Sequence, residues 1–198
     1  MIWESLLIGI YTTALLLIFF YALSQCNLLV NFLKAQAPKK HNTLLDVSNT
    51  ANIPFVTIQL PVYNEFYVID RLLDNIVNIE YPHEKLQIQV LDDSTDESLS
   101  YTAKKIRALQ EQGFPIQHLT REKREGFKAG ALKAGLKKAK GEFIAIFDAD
   151  FLPKSDWLKR TIPYFKNDKI GVVQTRWGHI NREYSILTRV QAFALDAH

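Results

Sequence analysis

From Pro54 onward the chain alternates short apolar runs of strand length with longer amphipathic segments, and this alternation limits the fold more than any other feature. Repeated strand-helix units of that kind build a Rossmann-like α/β domain, a mainly parallel sheet flanked by helices. Five strands are predicted, at 55–60 (FVTIQL), 86–91 (LQIQVL), 116–119 (IQHL), 143–147 (FIAIF) and 170–175 (IGVVQT). Helices are predicted at 68–79, 97–112, 128–140, 155–165 and 183–197. Ser94 and Glu97 have the spacing of a capping box, in which each side chain satisfies one orphan N–H at the helix start. Gly113 and Gly141 suit the left-handed residue that follows a helix.

Polar chemistry gathers at one end of these strands. Pro61-Val62-Tyr63-Asn64-Glu65 follows the first, Asp92-Asp93-Ser94-Thr95-Asp96 the second, and Asp148-Ala149-Asp150 the fourth. Ligands of an open parallel sheet bind outside the carboxyl ends of its strands, so these distant segments should converge on one crevice.

Asp148 and Asp150 flank one small residue directly after an apolar strand. Two carboxylates would repel a diphosphate by about 4 kcal/mol per close pair of unit charges near a protein surface, and a divalent cation reverses that sign. Mg2+ or Mn2+, which takes oxygen ligands and is shared between carboxylates and substrate phosphates, suits the pair better than zinc. A calcium loop also begins Asp-x-Asp, but Leu152 and Pro153 occupy its next ligand and its glycine. A haloacid-dehalogenase-like phosphatase expects Thr or Val where Leu152 stands. Without context, Asp148 as a turn cap and Asp150 as a solvated side chain remains an open alternative.

Asp92 and Asp93 stand where a carboxylate can accept from a nucleobase ring N–H or a ribose hydroxyl, and Tyr63 offers a flat face for a base. An Asx-turn and simple packing are the plain alternatives. Arg121, Lys123, Arg124 and Lys128 precede or open a helix whose Gly126 and Gly130 permit close backbone approach, an edge that favours phosphate. Neither G-x-G-x-x-G nor G-x-x-x-x-G-K-[ST] occurs, which argues against dinucleotide oxidoreductases and P-loop enzymes. The net charge of +3 is small and dispersed, which argues against nucleic acid as a partner. The single cysteine, Cys26, excludes a disulfide framework.

Ahead of this domain, 5–23 is uncharged and apolar over the length of a membrane-spanning helix. A cleaved leader fits less well, since no Lys or Arg precedes the run and Gln25 sits where a small residue is wanted. Lys34, Lys39 and Lys40 follow it while only Glu4 precedes it, so the C-terminal side should be cytoplasmic. The organisation expected is a membrane helix with an interfacial extension over 1–34, a linker over 35–53 and a soluble domain over 54–198.

Taken together, PVYNE, LDDSTDES, REGFKAGAL, FDADFLP and GVVQTRW resemble, in order and spacing, the glycosyltransferase family 2 domain, especially its cellulose synthase-like and mannan synthase-like members. The resemblance runs from about Phe55 to His198 and implies the A-type nucleotide-sugar-binding fold. It implies a UDP- or GDP-sugar as donor, a glycan as acceptor, a membrane setting and Mg2+ or Mn2+ as cofactor. Tyr63 would stack on the base, Asp93 would bind its ring nitrogen, Asp92 would support that loop, and Glu65 would belong to the same substrate-binding group. Lys128 would lie near the diphosphate, with Arg124 in the substrate-binding group, Asp148 at ribose and metal, and Asp150 would be the principal metal ligand. The family inverts the sugar with a downstream carboxylate as base, and its synthases carry a later Q-x-x-R-W. Gln174-Thr175-Arg176-Trp177 is one residue short of that motif, so the base and acceptor site are expected beyond His198. A non-catalytic, membrane-tethered nucleotide-binding or interaction module is the alternative.

Overall fold

The computed structural model describes residues 2–34, 44–48, 50–176 and 178–196, and divides into two compact units, Met1–Lys40 and His41–His198. In the first, α1 (Ile2–Lys34) is one unbroken helix of 33 residues. At about 1.5 Å per residue it is about 50 Å long, more than the roughly 30 Å hydrocarbon core of a bilayer. Its stretch Trp3–Asn31 is long and apolar enough to cross a membrane. Two polar side chains within it bond inside the helix: the Thr13 hydroxyl donates to the Gly9 carbonyl at 2.8 Å and the Asn31 amide to Asn27 Oδ1 at 2.5 Å. The turns read as an interfacial extension continue the same helix.

The second unit is built on a parallel sheet of β1 (Val56–Val62), β2 (Leu86–Asp92), β3 (Ile116–Thr120) and β4 (Phe143–Ile146) in the order β3-β2-β1-β4. The connections are α2 (Ile69–Ile76), α3 (Ser98–Glu111) and α4 (Phe127–Leu136). One sheet face is aliphatic: Val56, Ile58, Leu60, Ile88, Val90 and Ile116 cluster with Leu72, Leu73 and Ile76 of α2 and Ile106 and Leu109 of α3. Each such side chain contributes about 1.5–3 kcal/mol by leaving water.

The opposite face is polar and equally buried. The register aligns Thr57 with Gln87 and Gln59 with Gln89 and Gln117. Thr57 Oγ1 donates to Gln87 Oε1 at 2.9 Å, and Gln59 Nε2 donates to Gln89 Oε1 at 3.0 Å. Period-two alternation of this kind reads as a solvated face, yet α4 covers it. Gly135 makes the approach possible, because a Cβ there would meet Gln59 Nε2 and Leu91 Cδ2, each at 2.7 Å. Gln87 also ends the helix, donating to Lys138 O at 3.1 Å and accepting from Lys140 N at 2.9 Å. The predicted helix 128–140 therefore stops at Leu136.

Other elements depart from expectation for local reasons. α5 (Trp157–Thr161) passes into a 3-10 turn at Ile162–Lys166 because Pro163 has no N–H for the Lys159 carbonyl, which accepts from Leu45 N at 2.8 Å instead. Leu45 and Val47, in the stretch read as linker, pack against the core, and Ile53 is buried. Residues 35–43 and 49 of that stretch lie outside the described residues. Segment 170–175 is no strand: Val172 is exposed, and a hydrogen bond from Trp157 Nε1 to Thr175 Oγ1 at 3.2 Å holds the segment's end. Strand-forming residues without a ladder stay irregular. Gly113 is left-handed at φ 89°, whereas Gly141 is not, and is needed because a Cβ there would lie 2.4 Å from Thr57 N. The last helix, α6 (Ile186–Asp196), falls within the predicted 183–197.

Candidate functional site

The strand order reverses at β1: the chain steps outward through β2 and β3, then returns to add β4 on the other side of β1. A crevice opens where such neighbours part. The β1-β4 register ends at Gln59 and Ile146, with one further bond from Phe147 N to Gln59 O at 3.2 Å, while β1 runs on to Val62. Pro61, two residues beyond Gln59, faces the same side and has no N–H to offer there, so β1 and β4 diverge without an orphaned donor.

Past Val62, Tyr63 is partly exposed, and Asn64 adopts a left-handed φ of 56°, a conformation that Asn tolerates better than most residues. Asn64 N donates to Ser94 Oγ and Thr95 N donates to Asn64 Oδ1, both at 2.9 Å, so the loops after β1 and β2 are tied together. Ser94 is thereby engaged, and the expected capping box does not form. Asp96 Oδ1 instead accepts from Ser98 N at 3.0 Å at the start of α3. The Glu65 carbonyl accepts from Val68 N and Ile69 N at the start of α2, while its side chain is exposed.

Asp92 is buried, and its carboxylate faces His118 Nε2 at 2.8 Å and accepts from Ser94 N at 2.9 Å. Burial pushes its pKa up, but the hydrogen bonds from His118 and Ser94 outweigh that and hold it below the usual carboxylate value. Its neighbour Asp93 accepts from Arg121 Nε at 2.9 Å and also from Arg121 Nη2.

Arg121 then reaches across to the next turn. Its Nη1 donates to Glu125 O at 2.9 Å and its Nη2 to Phe127 O at 3.1 Å. Those bonds brace a strained turn in which Gly126 (φ 69°) and Phe127 (φ 48°) are both left-handed. Gly130 closes the arrangement, since a Cβ there would stand 1.9 Å from Glu125 O. The braced turn presents two more cations. Arg124 lies flat on Tyr63, its Cζ 3.4 Å from the ring centroid, and its Nε has no acceptor. Lys128 Nζ pairs with Asp148 Oδ1.

After β4, burial alternates: Phe147 and Ala149 point inward, Asp148 is half-buried and Asp150 exposed. Asp148 already holds a cation, the Lys128 ammonium. No group of three His, Cys, Asp or Glu side chains suited to a metal occurs among the described residues. A divalent ion at Asp148 and Asp150 would therefore have to draw its remaining oxygens from a bound phosphate and water.

Segment 121–128 therefore contacts three other strand ends: Tyr63 after β1, Asp93 after β2 and Asp148 after β4. Sequence reasoning named the basic edge but not the pairing of Arg121, Arg124 and Lys128 with Asp93, Tyr63 and Asp148. It also missed His118 as the partner of Asp92, and gave Ser94 to a helix cap where Ser94 serves Asn64 and Asp92. Gln174 to Arg176 form no strand, and Trp177 lies outside the described residues.

Residues 57–194 match the model of the family described as Glycosyl transferase family 2. The chain is 40% identical over 154 residues to glucomannan 4-beta-mannosyltransferase 2 of Arabidopsis thaliana, covering 75% of this chain and 29% of that protein. It is 37% identical over 185 residues to glucomannan 4-beta-mannosyltransferase 1 of Cyamopsis tetragonoloba, covering 89% and 35%. The chain thus spans about a third of the length of these relatives. Among solved structures, a mannosyltransferase from Pyrobaculum calidifontis in complex with GDP-Man and Mn2+ superposes with a TM-score of 0.64 at 27% identity, covering 80% of this chain and 46% of that one. Family match, relatives and strand-end geometry agree: the chain belongs to glycosyltransferase family 2 and is similar to its cellulose synthase-like glucomannan mannosyltransferases.

Proposed function

We propose that this chain carries the donor-binding half of a membrane-anchored, inverting glycosyltransferase that extends a β-linked polysaccharide from a nucleotide sugar. The observation that carries this is the convergence of Tyr63, Asp93 and Asp148 on the cationic segment 121–128 at the β1-β4 switch point. In this reading Tyr63 receives the base, Asp93 accepts from its ring N–H, and Asp92 supports Asp93 from below. Glu65 borders the same pocket. Arg124 and Lys128 bind the diphosphate, while Asp148 and Asp150 hold Mg2+ or Mn2+ and the ribose edge. When bound, that cation offsets the charge gathering on the departing nucleoside diphosphate. The glucomannan mannosyltransferase relatives and the neighbour holding GDP-Man and Mn2+ support a GDP-sugar as first choice, with a UDP-sugar next. A glycan hydroxyl is the acceptor, and its activation by a carboxylate base falls to residues outside this donor half.

In this reading α1 anchors the protein, and the positive charge of Lys34, Lys39 and Lys40 after it supports a cytoplasmic domain. Of these lysines, Lys39 and Lys40 lie outside the described residues.

Calorimetric titration of the chain with GDP and UDP, with and without Mn2+, tests the proposal. Metal-dependent binding that Asp150→Ala removes supports it. If neither nucleotide binds at any metal concentration, a membrane-tethered interaction module becomes the better account.

A further inference from the structure

Three of the four cations of segment 121–128, Arg121, Arg124 and Lys128, do not have equal standing. Arg121 is nearly buried with Asp93, the two side chains 18% and 7% exposed, and it also donates to two backbone carbonyls. Removing it from Asp93 would dismantle the turn. Lys128 and Asp148 meet in the open, with side chains 55% and 41% exposed, and among the described residues no second side-chain hydrogen bond locks them. Arg124 stands between the two: it is half-buried and rests on the Tyr63 ring with its Nε buried and unsatisfied. Exposed ion pairs exchange partners at little cost, whereas a braced, desolvated pair does not.

We propose that Lys128 is an internal competitor for the metal position at Asp148, displaced by the diphosphate, so that the metal binds weakly before the nucleotide and strongly with it. This rests on the donor-site assignment above and adds an order of events to it. Without nucleotide the ammonium occupies an Asp148 oxygen and adds a positive charge beside the cation's place. An incoming diphosphate offers Lys128 a doubly charged partner. As the ammonium moves to the phosphate oxygens, Asp148 is freed beside Asp150. Metal and nucleotide are then thermodynamically coupled, each raising the affinity of the other by the same factor. No covalent step is involved; one ion pair is exchanged for another.

The test is an Mn2+ titration of the full chain in detergent, followed by electron paramagnetic resonance, with and without GDP or UDP. Lys128→Met should tighten Mn2+ binding in the absence of nucleotide by about two- to fivefold, the range expected for release of an exposed ion pair. It should also weaken GDP or UDP binding without metal and shrink the factor by which nucleotide improves Mn2+ affinity. Lys128→Arg should keep the competition. Lys133→Met, which removes the same charge further along α4, controls for net charge. Unchanged Mn2+ affinity in Lys128→Met, or an equal gain in Lys133→Met, overturns the exchange while leaving the donor site standing. Retention of nucleotide-dependent Mn2+ binding by Asp150→Ala overturns the site assignment itself.

Discussion

Two pairs of aspartates end the two strands that flank β1, β2 and β4, and their surroundings are opposite. At the end of β2, Asp92 is buried against His118 and Ser94, and Asp93 is forked by Arg121. At the end of β4, Asp148 is partly exposed with one exchangeable lysine, and Asp150 is exposed. The first pair is satisfied by the protein and builds the site's wall. The second is left short of partners and can serve a ligand. Carboxylate after a strand is thus no single signal; what the fold supplies around it decides between framework and chemistry.

That contrast can be broken from either side, and the largest effect should come from Asp150. Asp150→Ala is expected to weaken Mn2+-dependent nucleotide binding by more than about a hundredfold, while thermal unfolding stays within a degree or so of the parent. Asp92→Ala should do the reverse in kind. It strands the His118 and Ser94 donors in a buried place, at a cost of about 3 kcal/mol measured by denaturant unfolding. Its pH dependence follows from a folded pKa below the ordinary 3.8. The carboxylate's contribution is complete above that value and is lost as pH falls through the lower folded one, so the gap between parent and variant should narrow in acid. A gap that widens on acidification would refute the assignment.

Arg121→Ala leaves Asp93 without its fork and the 124–127 turn without its brace. A loss of about 2 kcal/mol is expected, smaller than for a fully buried pair because water reaches this edge, together with weaker nucleotide binding. The smallest effect sharpens the comparison within the cationic segment. Arg124→Ala uncovers Tyr63 and removes a cation-π contact of about 0.5–1 kcal/mol. Guanosine or uridine should then bind about two- to fivefold more tightly, while the corresponding diphosphates bind more weakly. Equal shifts for nucleoside and diphosphate would show that Arg124 serves only the base, and an unchanged nucleoside affinity that it serves only the phosphates.

Much of the architecture was legible from residue order. Four apolar runs became four parallel strands, because each is bounded by turn residues and followed by an amphipathic segment long enough for a crossover. Segment 170–175 had the same composition and did not join them, since a strand exists only by virtue of its partner. The alternating Thr and Gln positions of β1 and β2 carry no local sign of burial; α4 lies over them because Gly135 admits it and the amides pair with each other.

For the site, the sequence alone determined which residue types stand at which strand ends, because chain order and the two-residue strand repeat are local properties. It also determined the apolar helix α1, whose length and lack of charge need no context. Only the tertiary structure decided that Asp92 faces inward to His118, that Arg121 is framework, and that Arg124 and Lys128 rest on the groups a donor would claim. Those outcomes depend on burial and on partners that in sequence stand up to 61 positions away, as Arg124 does from Tyr63, and no local pattern encodes either.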